Sequence, residues 1–175
     1  MTDIREIFIF DFDGTLIDSS HRQLTNADGS INLEHWKKNN TKDMIFRDTL
    51  MPLYAYAKQL ADNGNYLVGC TARELTKYDY EFFLLYGFDK IFQKIISRPK
   101  GNTTPDHILK GKQLQYLFNL KGFKNATKIF FDGVGDADSN RKVQINAQGV
   151  FVFGDDTSTY AYVRNSGIQL VEDDT

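Results

Sequence analysis

The 175-residue chain has almost no cysteine, no long apolar run, no excess of either charge and no internal repeat. The single Cys70 rules out an internal disulfide and any thiolate zinc cage. No stretch approaches the roughly 20 apolar residues of a membrane span, and "MTDIREIFIF" shows no charged leader before an apolar run. A soluble protein of a reducing compartment is expected, cytoplasmic and without a membrane partner. Lys plus Arg number 21 against 23 Asp plus Glu, which argues against a duplex-DNA binder held by a cationic face. It leaves room for recognition of a single phosphate or strand end. Low-complexity tracts are also missing, and the sequence names no protein partner.

What is present is globular: 41% apolar and 14% aromatic residues in a length that suits one domain, 1–175. Five short apolar runs alternate with helical patterns. The runs are Glu6–Asp11, Tyr66–Thr71, Lys94–Arg98, Lys128–Asp132 and Gly149–Gly154. Continuous apolar runs of this length fit strands buried on both faces. Helices are expected near Thr49–Asn63, Glu74–Tyr86, Pro105–Asn119 and Asp138–Asn146, with Pro52 in a first turn and Gly64 at an exit. This alternation predicts an α/β fold, a doubly wound, Rossmann-like parallel sheet with helices on both faces. One polar, turn-rich insertion, about 17–48, breaks the rhythm. It reads as a small hairpin around "ADG" followed by a short helix from near Asn32.

Polar residues collect where the apolar runs end, and open α/β sheets place their sites at the carboxyl ends of strands. The first run, "IFIFDFDGTLID", finishes in Asp11 and Asp13; the second ends in Thr71 and Arg73. The third ends in Ser97 and Arg98, the fourth in Asp132 with Asp136 four residues on. Two close carboxylates repel, and crowding raises the pKa of at least one. A divalent cation removes that repulsion, and oxygen ligands with retained water are what Mg²⁺ prefers. Carboxylates, hydroxyl, guanidinium groups and lysine together suit phosphoryl transfer. One carboxylate is suited to attack phosphorus and another to exchange protons with the leaving oxygen and with water.

At these residues the chain resembles the haloacid dehalogenase (HAD) superfamily. "DFDGT" is similar to its first motif, D-x-D-G-T, and "VGCTAR" to its second. A lysine on a later helix and the acid after "IFF" follow in the order of its third and fourth. The resemblance spans about Ile7 to Phe153. It implies Asp11 as nucleophile, Asp13 as acid/base, Thr71 on a phosphoryl oxygen, and Lys110 as the charge-compensating lysine. It implies Mg²⁺ as cofactor on Asp11, the backbone carbonyl of Asp13, and Asp132. Lys112 is the weaker lysine because it faces away on the helix.

"SRPKGNTTPDHILK" further resembles the 3′-phosphatase domain of phage polynucleotide kinase/phosphatase proteins, as do "CTARE" and "HR". That likeness implies Arg22, Arg73 and Arg98 as substrate-binding cations, with Asp106 orienting one of them. No G-x-x-x-x-G-K-[ST] occurs, so a kinase half is not expected. The fourth motif departs from that domain: "FFDGVGD" carries Gly133 in place of a second acid, and Asp136 is the replacement for metal binding.

The insertion is too small for a large cap, so the site stays open unless a large substrate closes it. The expected activity is Mg²⁺-dependent phosphomonoester hydrolysis through an aspartyl-phosphate, on a polynucleotide 3′-phosphate. A nucleotidase acting on mononucleotides is the alternative within enzymes. A phosphate-end binding module weakened at Gly133 is the alternative outside them. The partner is then a phosphorylated nucleic-acid end or a nucleotide, in the host cytoplasm if the source is a phage.

Plainer readings stand beside these. Thr71 suits a cap for the helix near Glu74. Arg22 suits plain surface, and Arg98 suits a pair with Asp106. His21, His35 and His107 show no ligand spacing and read as structural or surface residues. "DADSN" resembles a calcium loop but lacks its later glycine and glutamate. Trp36 and Tyr78 suit packing better than base stacking, and Cys70 suits a buried, unreactive strand position.

Overall fold

The structure is a computed structural model that describes residues 4–29, 31–132 and, as backbone, 150–153. In chain order the elements are β1 (Glu6–Phe10), β2 (Ile17–Asp18), a 3₁₀ turn (Ser20–Arg22), α1 (Leu33–Lys38) and α2 (Lys42–Ile45). There follow β3 (Thr49–Leu50), α3 (Leu53–Asp62), β4 (Tyr66–Cys70), α4 (Lys77–Tyr86) and α5 (Phe88–Ile91). The chain continues with β5 (Lys94–Ile96), α6 (Asp106–Phe118), β6 (Thr127–Phe131) and β7 (Val150–Phe153). The expected helix at Asp138–Asn146, together with Gly133 and Asp136, lies outside the described residues.

Five strands form one parallel sheet in the order β5-β4-β1-β6-β7. Successive side chains of a strand point to opposite faces, so a central strand must be apolar at every position. In β1, Phe8 and Phe10 enter one core with Leu53, Tyr56, Phe82, Phe83 and Phe88, while Ile7 and Ile9 enter the other. That second core holds Leu114, Leu117 and Phe118 of α6. Helices therefore cover both faces, as the pattern of apolar runs predicts. The sheet grows to one side of β1 through β4 and to the other through β6. This makes the end of β1 the switch point where a site is expected.

The helix boundaries shift for local reasons. The helix expected from Glu74 begins at Lys77, because Thr76 and Asp79 form a capping box: the Thr76 side chain accepts from the Asp79 N–H, and Asp79 accepts from the Thr76 N–H. Thr76, not Thr71, is thus the cap. The helix ends at Gly87, whose φ of 78° is a left-handed conformation that glycine adopts without strain. The helix expected from Thr49 begins after Pro52, since Thr49 and Leu50 pair instead with Asp18 and Ile17 in a two-stranded ribbon. In the insertion the hairpin reduces to one antiparallel bridge, Thr25 to Ile31. Asn32 caps α1 by accepting from the His35 N–H at 3.0 Å.

Candidate active site

The turn after β1 decides where the two aspartates point. Phe12, between them, is fully buried against the rings of Phe83, Phe88 and Phe92, with centroids 5.3–5.4 Å away. Anchoring that ring in the apolar core leaves Asp11 and Asp13 on the polar side of the turn. The Phe12 carbonyl accepts from the N–H groups of Thr15, Leu16 and Ile17, and Gly14 supplies the left-handed φ of 77° that so tight a turn needs.

Three strand ends meet here. Asp11 follows β1, Thr71 follows the neighbouring β4 fully buried, and Asp132 follows β6 on the other side. Lys110, on the second turn of α6, reaches the cluster from the opposite core. Its Nζ donates to Asp11 Oδ1 at 2.7 Å and to Asp132 Oδ1 at 2.9 Å. Burial opposes the Lys110 charge, but the two carboxylates outweigh it and hold the ammonium above the ordinary lysine range. Burial pushes Asp11 up to about 7 against the pull of Lys110, with Asp132 and Asp13 adding repulsion. One ammonium therefore does not neutralise two carboxylates. Thr15 Oγ1 lies 3.4 Å from Asp11 Oδ2 and donates to it.

Asp13 faces a different set of partners. Arg73 grips it in a fork, Nε to Oδ2 at 2.8 Å and an NH2 nitrogen to Oδ1 at 2.5 Å, and Ser19 Oγ donates to Oδ1 at 2.6 Å. Burial works to raise the Asp13 pKa, but the Arg73 charge and hydrogen bonds and the Ser19 hydroxyl outweigh it and keep the carboxyl below its usual value.

Arg22 and Arg73 meet protein carboxylates in place of the expected open substrate side, whereas Arg98 makes the Asp106 pair read for it. Arg22, read as a substrate-side cation or plain surface, is fully buried; it donates to Asp48 through Nε at 2.9 Å and NH2 at 2.8 Å. Arg73, also read as substrate-side, is 4% exposed and spends its nitrogens on Asp13, Asp79 and Asp48. Both guanidinium groups lie over Trp36, 4.1 and 5.6 Å from its ring centroid, so Trp36 packs on cations. Arg98 donates to the carbonyls of Ala72, Asn102 and Thr104 and pairs with Asp106 at 2.6 Å, pinning the loop before α6. The physical reason is common to all three. A guanidinium carried into the interior must find acceptors there, because its desolvation is otherwise uncompensated.

Sequence reasoning passed over Asp48 and Asp79. Asp79 had a legible signal, the T-x-x-D of its capping box. Asp48 had none: its partners, Arg22 and Arg73, are 26 and 25 residues away. His21 contacts Asp48 at 2.7 Å, a structural place in keeping with its reading.

For a divalent ion, Asp11 and Asp132 offer oxygens on either side of one nitrogen, Lys110 Nζ. Among the described residues no group of three His, Cys, Asp or Glu side chains gathers for one. The third ligand expected from the chain is the Asp13 backbone carbonyl, which such a grouping does not include, and the Asp13 carboxylate is already committed to Arg73. Hard oxygen donors with a negative surplus fit Mg²⁺.

Residues 1–100 match the model of the family described as bacteriophage T5 5′-deoxynucleotidase. The 5′-deoxynucleotidase of Escherichia phage T5 is 38% identical over 88 residues, a stretch covering 48% of this chain and 36% of that protein. The chain thus spans about a third of this relative's length. Among solved structures, a HAD-superfamily hydrolase of Geobacter sulfurreducens matches with a TM-score of 0.54, at 15% identity, covering 85% of this chain and 88% of that one. A chain of the Pnkp1/Rnl/Hen1 complex matches with a TM-score of 0.53, at 20% identity, over 87% and 46% of the two chains. These likenesses carry the fold. The fold is shared with HAD-superfamily hydrolases, and the match over residues 1–100 shows that the chain belongs to the family described as bacteriophage T5 5′-deoxynucleotidase.

Proposed function

We propose that this phosphatase removes the 5′-phosphate of a deoxynucleoside monophosphate through a phosphoaspartyl intermediate on Asp11. The observation that carries the proposal is the Asp11–Lys110–Asp132 cluster at the switch point, whose Asp11 lies in the 1–100 stretch that matches the 5′-deoxynucleotidase model. The family match favours the nucleotidase reading over the polynucleotide 3′-phosphatase expected from motifs alone. The fate of the arginines points the same way. Arg22, Arg73 and Arg98, read as cations for a nucleic-acid end, are occupied by acceptors of the protein itself.

In this reading Asp11 attacks phosphorus, and Lys110 favours its charged form against burial and the neighbouring carboxylates. Lys110 offsets the negative charge of nucleophile and phosphate, and Thr71 donates to a phosphoryl oxygen. Asp13 gives a proton to the departing 5′-oxygen and then takes one from the water that hydrolyses the phosphoaspartate. Mg²⁺ would be held by Asp11, Asp132 and the Asp13 carbonyl, and would supply charge neutralisation between carboxylates and phosphate. We read residues 1–175 as one unit with the insertion as a minimal cap. Among the described residues no helix is long and apolar enough to cross a membrane.

The test is phosphate release from deoxynucleoside 5′-monophosphates and from a 3′-phosphorylated oligonucleotide, with Mg²⁺ and beside an Asp11→Asn control. Turnover of the mononucleotide that is absent in the control is expected. Preference for the oligonucleotide overturns the substrate, and no turnover of even a generic aryl phosphate overturns the enzyme reading in favour of a binding module.

A further inference from the structure

The insertion between β1 and α3 is too short to cover the site, yet it places buried polar groups around Asp13 and its partner Arg73. Ser19, 1% exposed, donates to Asp13 Oδ1 at 2.6 Å, and Gln23 Nε2 donates in turn to Ser19 Oγ at 2.8 Å. From the other end of the insertion Asp48, 2% exposed, accepts from Arg73 at 3.2 Å, and Arg73 forks onto Asp13. Asp48 is itself locked by Arg22 at 2.8 and 2.9 Å and by His21 at 2.7 Å. Asp79 of α4 takes the remaining Arg73 nitrogen at 2.8 Å. Four charged groups, Asp48, Asp79, Arg22 and Arg73, thus lie buried and hydrogen-bonded behind the half-buried Asp13.

Such a network is costly to desolvate and is a weak source of stability, so its retention beside a reactive carboxylate calls for another role. Arginine has several rotatable bonds, and a fork onto Asp13 holds geometry only if the guanidinium plane is itself fixed. Asp48 and Asp79 fix that plane, and Ser19 sets the rotation of the carboxylate from the other side. We propose that Ser19 and Asp48 are positioning residues that aim Asp13 at the leaving oxygen and the hydrolytic water, so that the insertion is the mounting of the acid/base rather than a lid. The inference rests on the role for Asp13 proposed above.

The experiment uses leaving groups. A deoxynucleotide expels an alkoxide that must be protonated, whereas 2,4-dinitrophenyl phosphate expels a stable phenolate that needs no proton. In the full chain with Mg²⁺, Asp48→Asn and Ser19→Ala are expected to lower kcat on the deoxynucleotide about tenfold or more. The first-turnover burst of dinitrophenolate stays within about twofold of the unsubstituted protein, while its steady-state turnover falls because Asp13 is still needed for water attack. Asp43→Asn, in an exposed pair with Arg47 on the same insertion, is expected to change neither rate. Equal losses in the deoxynucleotide rate and in the dinitrophenolate burst, or no loss in either, overturn the proposal. So does failure of both variants to fold, which would make the network a stability element. Failure of the deoxynucleotide reading shows separately, as an unsubstituted protein that cleaves only the aryl ester.

Discussion

Asp11 and Asp13 are two residues apart, and their environments push their titrations in opposite directions. Asp11, desolvated beside Asp132, is relieved by a single lysine; Asp13, only half-buried, is relieved by the Arg73 fork. This is the separation by which one site assigns two carboxylates to two tasks. It has a consequence for pH. Asp13 is held ionised in the resting site, so the proton it passes to the leaving oxygen arrives with the substrate, whose phosphate has a second pKa of about 6. The kcat/KM on a deoxynucleotide is therefore expected to carry a limb that falls as pH rises above about 6, opposed by a limb that rises toward about 7 as the Asp11 nucleophile ionises, with the falling limb shallower for 2,4-dinitrophenyl phosphate. Parallel pH–rate profiles on the two substrates check this. Cys70 gives a second prediction at this scale. Burial pushes its thiol up to about 12, with Lys110 pulling against burial and Asp11 and Asp132 adding to it. Native protein at pH 8 is expected not to react with a disulfide reagent, and one thiol per chain is expected to appear in denaturant.

At the scale of elements, the site depends on how closely β4 approaches the turn after β1. Gly69 lies in β4, and a Cβ built there would stand 2.5 Å from the tip of the Phe12 ring. That ring cannot swing aside, because Phe83, Phe88 and Phe92 enclose it. Gly69→Ala is thus expected to cost about 1–3 kcal/mol, the usual range for overpacking. It is also expected to lower activity more than stability, since the displaced ring carries Asp11 and Asp13 on either side. Thermal melting and steady-state rates of the one variant check both parts. The reason for a glycine was hidden in the sequence, where "VGC" reads only as an apolar run. The runs themselves were legible, because strands buried on both faces must be apolar throughout. Helix starts moved by a few residues, as at Thr76 and Pro52, because capping geometry is a local choice that apolar periodicity does not encode.

At the scale of the molecule, the parallel order β5-β4-β1-β6-β7 brings together acids more than 100 residues apart in the chain. Asp11 and Asp132 share Lys110 only because β1 and β6 are neighbours in register and α6 packs beneath them. A cation bound there stabilises the folded chain by mass action, since the unfolded chain has no such site. Millimolar Mg²⁺ is expected to raise the melting temperature of the unsubstituted protein, and Asp132→Asn to remove most of that rise. An equal rise in the variant would move the ion elsewhere.

That Asp11, Lys110 and Asp132 meet was readable from the chain, because "DFDGT" and the strand ends confine such residues to one edge of any doubly wound sheet. Partnership was readable only between near neighbours, as for Arg98 with Asp106. Whether an arginine meets a phosphate or a buried carboxylate depends on which segment folds over it. Only the three-dimensional arrangement set Asp48 against Arg22 and Arg73, turning two cations read as substrate contacts into the support of Asp13. Local pattern dictates what a residue is able to do; long-range packing decides to what it is done, because burial makes every charge find a partner within reach.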